Sequence, residues 1–231
     1  YSVLVCLQAM DAAGKDGTIK HVMTGVNPQG VQVFAFKAPS PEELDHNFLW
    51  RYMRALPERG RIGIFNRSYY EDVLVVRVHP ELLERQKLPP GKRGESFWRD
   101  RYEDINAFER HLVRNGTVIL KFFLNVSKDE QKKRFLERLD NTEKHWKFST
   151  ADLAERAHWD EYVEAFEEAL SATSTEWAPW YVVPADNKWV TRAVIADILT
   201  SSIRDLGLEA PKVSKEKKQE LTAARKKLLS E

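Results

Sequence analysis

The stretch "LQAMDAAGKDGTIKHV", residues 7–22, decides how this chain is read. It closes an apolar run, "YSVLVCLQAM", with the length and composition of a buried strand. It then opens a helix, "TIKHVMTGV", whose end Gly25 is expected to mark. Strand, glycine loop and helix in that order form an anion-binding arrangement, because backbone N–H groups at the helix start face whatever the loop encloses. A phosphate loop of the GxxxxGK[ST] type needs glycines for the curl, a lysine for the distal phosphates and a hydroxyl for magnesium. Here Ala9 stands at the first glycine position, Gly14 and Lys15 match, and Asp16 replaces the hydroxyl residue, with Thr18 two positions later. Ala13, Gly14, Lys15, Asp16, Gly17 and Thr18 are thus the expected phosphate cradle, with Lys20 a further cation nearby. Asp11 beside a polyanion is repulsive unless a divalent cation lies between them, so it predicts Mg²⁺, a place Mn²⁺ can also take.

Working outward, "VQVFAF", "RIGIFN", "TVILKFFLNV" and "WYVVP" read as four more strands. Helices are expected between them. "SPEELDHNFLWRYMRAL" opens with Ser40, Pro41 and Glu43 as N-cap, first-turn proline and capping-box acid. "SFWRDRYEDINAFERHLVRNG" ends near Gly116, "SKDEQKKRFLERL" carries a second capping box in Ser127 and Glu130, and further helices run from about 152 to 172 and 189 to 206. This alternation predicts an α/β fold with a mostly parallel sheet covered on both faces. Ligands then belong at the carboxyl ends of the strands. Residues 1–210 are expected to form one domain, and 211–231, beginning at Pro211, a basic helical tail.

A second strand end carries chemistry. "RIGIFNRSYYEDVLVVRVH" leaves its strand at Asn66 and at once supplies Arg67, Ser68, Tyr69, Tyr70, Glu71 and Asp72. In phosphoryl-transfer folds this position commonly carries an acid that organises magnesium, while an arginine neutralises charge on the transferred group. Asn66 can hold a metal-bound water without contributing charge, and Glu71 and Asp72 are placed to supply what Asn66 lacks. Taken alone, the acids would suit a helix start for its dipole.

Composition narrows the rest. Thirty-six basic and 35 acidic residues leave a net charge of +1, so attraction to anions must come from local clusters such as "KLPPGKRG" at 87–94. A nucleic-acid partner is not expected at this balance. No apolar stretch approaches the roughly 20 residues of a bilayer span, so no membrane partner is expected either. The lone Cys6 excludes an internal disulfide and suggests a reducing compartment, the cytoplasm. Tyr1 stands inside an apolar run, and a segment upstream of it is expected.

"MDAAGKDGTIKHV", "FNRSYYEDVLV", "RFLERLDNTEKHWKFS" and "PADNKW", in that order, resemble the second family of polyphosphate kinases, the polyphosphate:nucleotide phosphotransferases. The resemblance runs from residue 7 to about 200. It implies a P-loop kinase-like three-layer sandwich with a helical lid, here at about 128–160, and a Mg²⁺-dependent, reversible transfer between inorganic polyphosphate and adenine or guanine nucleotides. By motif, Asp11 and Lys15 fall in its Walker A element, and Asn66 and Arg67 in its Walker B element. Arg134, Arg138, Lys144 and Lys147 fall in or beside the lid, facing polyphosphate. Asn66 and "SYYED" are similar to the branches acting on nucleoside monophosphates, which implies AMP as acceptor with ADP also accepted. Dimers or tetramers are implied as well. The rival readings are an ATP-dependent P-loop kinase and a non-catalytic nucleotide- or polyphosphate-binding protein.

Overall fold

The computed structural model describes residues 1–210 and 212–231, and of Lys147 only the backbone. Pro211, expected to open the tail, lies outside the described residues. In chain order the elements are β1 (Ser2–Gln8), α1 (Lys15–Val22), β2 (Val31–Ala35), α2 (Pro41–Leu44), α3 (Trp50–Met53) and β3 (Ile62–Asn66). There follow α4 (Val75–Val78), α5 (Glu95–Arg114), β4 (Thr117–Asn125), α6 (Lys128–Asp140), α7 (Thr150–Ala157) and α8 (Trp159–Thr173). The last are β5 (Trp180–Pro184), α9 (Lys188–Arg204) and α10 (Lys215–Leu229).

All five strands fall where their apolar runs placed them, and every pairing is parallel in the order β2-β3-β1-β4-β5. β1 is central, with Leu4 opposite Gly63 of β3 and Ile119 of β4. All seven of its residues are buried, the continuous apolar reading a strand needs when both sheet faces are covered. The chain builds the β2 side first and the β4 side afterwards, so the order reverses beside β1, and the phosphate loop leaves β1 at that switch point.

A polar knot lies inside this core. Lys121 of β4 and Glu109 of α5 are both 0 % exposed. The ammonium of Lys121 donates to Glu109 Oε2 at 2.7 Å, Tyr70 Oη at 2.9 Å and the Thr173 carbonyl at 2.7 Å, which uses all three of its protons. The hydroxyls of Tyr69 and Tyr70 both donate to Glu109 Oε1 at 2.8 Å. A buried ion pair survives only when its hydrogen bonds are this complete. Its two tyrosines sit between Arg67 and Glu71, so the knot anchors the turn after β3.

Three expected helices differ. The run after Ser40 keeps its capping box but breaks into α2 and α3, because the Asn47 side chain accepts from Leu49 N–H at 3.1 Å and offers the backbone an alternative to the helix. The run from 152 to 172 divides at His158 into α7 and α8. At the start of α6, Ser127 Oγ accepts from Glu130 N–H at 3.1 Å, but the box is half made. Glu130 turns instead to Arg134 at 2.9 Å, while Ser127 N–H goes to Asp186 at 2.7 Å.

The chain divides into two compact units, Tyr1–Leu199 and Thr200–Glu231. The division falls inside α9, ahead of the expected 210/211 junction, at the last residue of that helix buried in the core. In the second unit α10 is exposed along its whole length and capped by Ser214. Among the described residues no helix is long and apolar enough to cross a membrane.

Candidate functional site

The loop from Ala9 to Gly14 is held in a shape its sequence makes costly. Gly14 caps α1 at φ 104°, the left-handed region that glycine enters freely, and Ala12 is drawn to φ 59°, where an L side chain is strained. Arg67, at the end of β3, stands at φ 65°. Strain of this kind persists only where surrounding contacts over-determine it. For Ala12 the contact is Arg134. This guanidinium, 4 % exposed, donates to the carbonyls of Ala12 at 3.0 Å and Ala13 at 2.9 Å, to those of Ala185 at 2.6 Å and Asp186 at 3.0 Å, and to Glu130 at 2.9 Å. All five of its N–H groups are used on the protein itself. Arg134 is therefore not the phosphate contact expected of it: it ties the loop to the β5–α9 turn and leaves no donor for a substrate.

The remaining loop chemistry is mutual. Lys15 donates to the Ala9 carbonyl at 2.8 Å, Arg67 pairs with Asp11 at 3.1 Å, and Asn66 Nδ2 donates to Asp16 at 2.7 Å. Gln131 of α6 donates to the Asp11 carbonyl at 2.9 Å. Burial, then the charge of Arg67, lowers the Lys15 ammonium from its ordinary pKa, while Asp11, Glu71 and Asp16 act to raise it. Burial works to lower Arg67 too, but Glu71 and Asp11 outweigh it and Arg67 ends above its usual value. Burial raises the carboxyl of Glu71 against the opposing pull of Arg67 and Lys15.

Two cavities meet here. One is polar, with a volume of about 500 Å³, and is walled by the loop from Asp11 to Gly17, by Asn66 and by Arg138 of α6. The other, of about 380 Å³, has apolar walls including Leu44, Leu74, Val76 and Phe166, with Trp159 and Tyr162 on the α8 side and Glu71 beside them. Asp11, Lys37 and Arg67 line both. α7 adds Asp152, Glu155 and Arg156 to the second cavity. Arg138 reaches Asp152 at 3.4 Å, and burial followed by the nearby charge of Asp11 raises the Asp152 carboxyl.

The expected residues thus part into groups. Asp11, Ala13, Gly14, Lys15, Asp16, Gly17, Asn66, Arg67 and Arg138 converge on the polar cavity. Glu71 lines the apolar one, and Asn66 lines only the polar one. Thr18 is buried under the loop, its N–H donating to the Gly14 carbonyl at 3.0 Å. Lys20 and Lys144 are exposed and line neither cavity, and the Lys147 side chain lies outside the described residues. Lys37, Asp152 and Arg156 were not singled out from the sequence. For Lys37 the signal was there: it follows the carboxyl end of β2, where a parallel sheet puts its ligands.

A parallel sheet whose first strand runs into a glycine loop, with an arginine at the neighbouring strand end, defines a P-loop kinase-like phosphotransferase fold. Thymidylate kinase from Candida albicans shares that fold at a TM-score of 0.52 and 15% identity, over 86% of this chain and 91% of that one. The family model "Polyphosphate kinase 2 (PPK2)" matches residues 1–211, and the chain belongs to that family. It is 55% identical to an ADP-polyphosphate phosphotransferase of Rhodopseudomonas palustris, over 99% of this chain and 80% of that protein. It is 50% identical to an AMP/ADP-polyphosphate phosphotransferase of Meiothermus ruber, over 91% and 75%. The crystal structure of Polyphosphate Kinase 2 from Arthrobacter aurescens TC1 superposes at a TM-score of 0.88 with 46% identity, covering 96% of this chain and 76% of that one.

Proposed function

We propose that this chain is a polyphosphate:nucleotide phosphotransferase that moves the terminal phosphoryl group of inorganic polyphosphate to AMP and to ADP, and back. The observation that carries this reading is the pair of cavities with one shared wall. The polar one suits a polyanion: Lys15, Lys37, Arg67 and Arg138 oppose Asp11 and Asp16. The apolar one falls in the size range of small-molecule sites and offers aromatic and aliphatic walls to a base. Family membership and the names of the two relatives support the same substrates.

In the transfer, the bond from the terminal phosphorus to its bridging oxygen breaks, and the electron pair leaves on the shortened polyphosphate. The new bond forms to an anionic phosphate oxygen of the acceptor, so no side chain has to remove a proton. What the protein supplies is position and charge: Lys15 and Arg67 offset the charge spread over the phosphoryl oxygens. Donor and acceptor cavities that share a wall also explain reversal, since either phosphate can stand on either side of it.

The donor set fits Mg²⁺ of the substrate-held kind. Among the described residues no three His, Cys, Asp or Glu form a metal cage, and Mg²⁺ commonly takes only one or two carboxylates plus phosphate oxygens and water. Asp11 and the amide oxygen of Asn66, left free by the bond from Nδ2 to Asp16, are the residues that would hold it, with Glu71 acting from the acceptor side. When bound, the ion would supply charge neutralisation of the phosphate oxygens. Mn²⁺, which also prefers oxygen donors, would serve in its place. The same reading includes guanine nucleotides as acceptors, a cytoplasmic location and a homodimer or homotetramer.

The test is to incubate the protein with Mg²⁺, long-chain polyphosphate and either AMP or ADP, and to separate the nucleotides by chromatography. ADP and then ATP from AMP is the expected result. No product from either acceptor, with ATP serving as donor instead, would make this an ordinary nucleotide kinase. Lys15→Ala is expected to lower turnover on the order of 10²-fold or more.

A further inference from the structure

The wall common to the two cavities holds three charged residues, Asp11, Lys37 and Arg67. If one cavity takes the donor and the other the acceptor, as proposed above, the phosphoryl group in transit passes this wall. The charges there are unequal in availability. Arg67 and Asp11 are paired with each other at 3.1 Å, Lys15 donates to the Ala9 carbonyl at 2.8 Å, and Arg138 faces Asp152 at 3.4 Å. Of the four cations lining the polar cavity, Lys37 is the one whose ammonium has no hydrogen-bond or ion-pair partner among the described residues.

Its backbone, by contrast, is fastened. Arg51 donates to the Lys37 carbonyl at 2.8 Å and is itself held by Tyr52 Oη at 2.5 Å and Glu43 at 3.8 Å, with its guanidinium over the rings of Phe36 and Tyr52. Phe36 N–H donates to the Asn66 carbonyl at 3.1 Å, which joins the end of β2 to the residue preceding Arg67. A long, uncommitted cation thus stands on a rigid base beside the place where two polyanions must meet.

We propose that Lys37 is a further catalytic residue, whose ammonium offsets charge on the phosphoryl group as it crosses from one cavity to the other, acting together with Arg67. Such a contact is stronger in the transition state than in either ground state, because there the charge of both phosphates is concentrated at the shared wall. Its loss therefore falls on kcat, whereas a mere groove contact would fall on KM for polyphosphate.

Steady-state kinetics of Lys37→Met, Lys37→Arg and Lys37→Cys with polyphosphate and AMP or ADP decide the matter. Lys37→Met is expected to lower kcat roughly 10²-fold while KM for both substrates stays within about threefold, and Lys37→Arg to recover most of the loss. Lys37→Cys, treated with 2-bromoethylamine, regains an ammonium at lysine length, and its kcat is expected to rise again. The other thiol, Cys6, is fully buried and does not compete for the reagent. Unchanged kcat in Lys37→Met, a loss confined to KM, or an alkylated Lys37→Cys no better than the untreated protein would each overturn the assignment. An inactive wild-type enzyme in the same assay would instead overturn the functional reading on which it rests.

Discussion

Removing Arg134 separates a positioning role from a phosphate contact more sharply than any other single change. Arg134→Met keeps the length of the side chain and deletes the fork. It leaves four main-chain carbonyls, of Ala12, Ala13, Ala185 and Asp186, and the carboxylate of Glu130 without their donor. Each orphaned buried acceptor costs about 1–3 kcal/mol, and water entering from the polar cavity can reach the loop carbonyls and recover part of that. A net loss of about 4 kcal/mol follows. For a domain of this size it corresponds to a melting temperature roughly 10 °C lower. Arg134→Lys restores the charge as a single point with three donors that cannot span both loops, so it should keep most of the defect. The assay is thermal unfolding alongside KM for polyphosphate. The reasoning is refuted if Arg134→Met melts like wild type and only raises KM, because that is how a groove cation behaves.

Other outcomes follow from the same geometry. Lys121→Met strands Glu109 as a buried unpaired charge and should cost about 3–5 kcal/mol in urea unfolding, with Lys121→Met/Glu109→Leu less damaging than the single change; a single variant as stable as wild type would contradict this. Burial, then the charge of Glu109, pushes the Cys6 thiol up to about 12 from its ordinary value near 9. The folded state therefore keeps a proton that the unfolded chain releases, and the associated stability is complete below pH 9 and lost as pH rises towards 12. Tyr69 and Tyr70, raised first by burial, act in the same direction. Unfolding midpoints should fall between pH 8 and pH 10.5, by about 2 kcal/mol from Cys6 alone, and a flat profile would count against the shift. Arg138→Ala should raise KM for polyphosphate at low salt and flatten its rise with salt, since a half-buried cation open to the polar cavity still acts through a field that salt screens; unchanged salt dependence would remove Arg138 from the donor path.

Much of the fold was legible because a sheet buried on both faces leaves an unambiguous mark: seven consecutive buried residues in β1, and in β3 and β4 apolar runs that only Lys121 interrupts. The phosphate loop was legible for a related reason, since its glycines and lysine are adjacent in sequence and act through adjacent backbone groups. What escaped was whatever depends on distant partners. Asn47 ended a helix that propensity alone would continue, through one local side-chain bond. Arg134 sits in "KKRF", where neighbouring lysines suggest a charged surface, yet its carbonyl partners are 51 to 122 residues away. Asp152 and Arg156 reach the second cavity only through the fold of α7, which no local pattern records. Glu71 and Asn66, five positions apart and expected to share a metal, line different cavities, on either side of the turn that Tyr69 and Tyr70 pin to Glu109.

The Arg134 fork has a consequence for how this loop tolerates mutation. Four of its five partners are main-chain oxygens, and a main-chain oxygen persists whatever side chain its residue carries. Changes at positions 12, 13, 185 and 186 can alter local strain but cannot delete the main-chain acceptors of Arg134, although a change at 186 also removes the carboxylate that accepts from Ser127 N–H. The genetic vulnerability of the tie between the two loops is therefore concentrated in the Arg134 codon, and substitutions at Ala12, Ala13 and Ala185 should be tolerated far better than substitutions at Arg134.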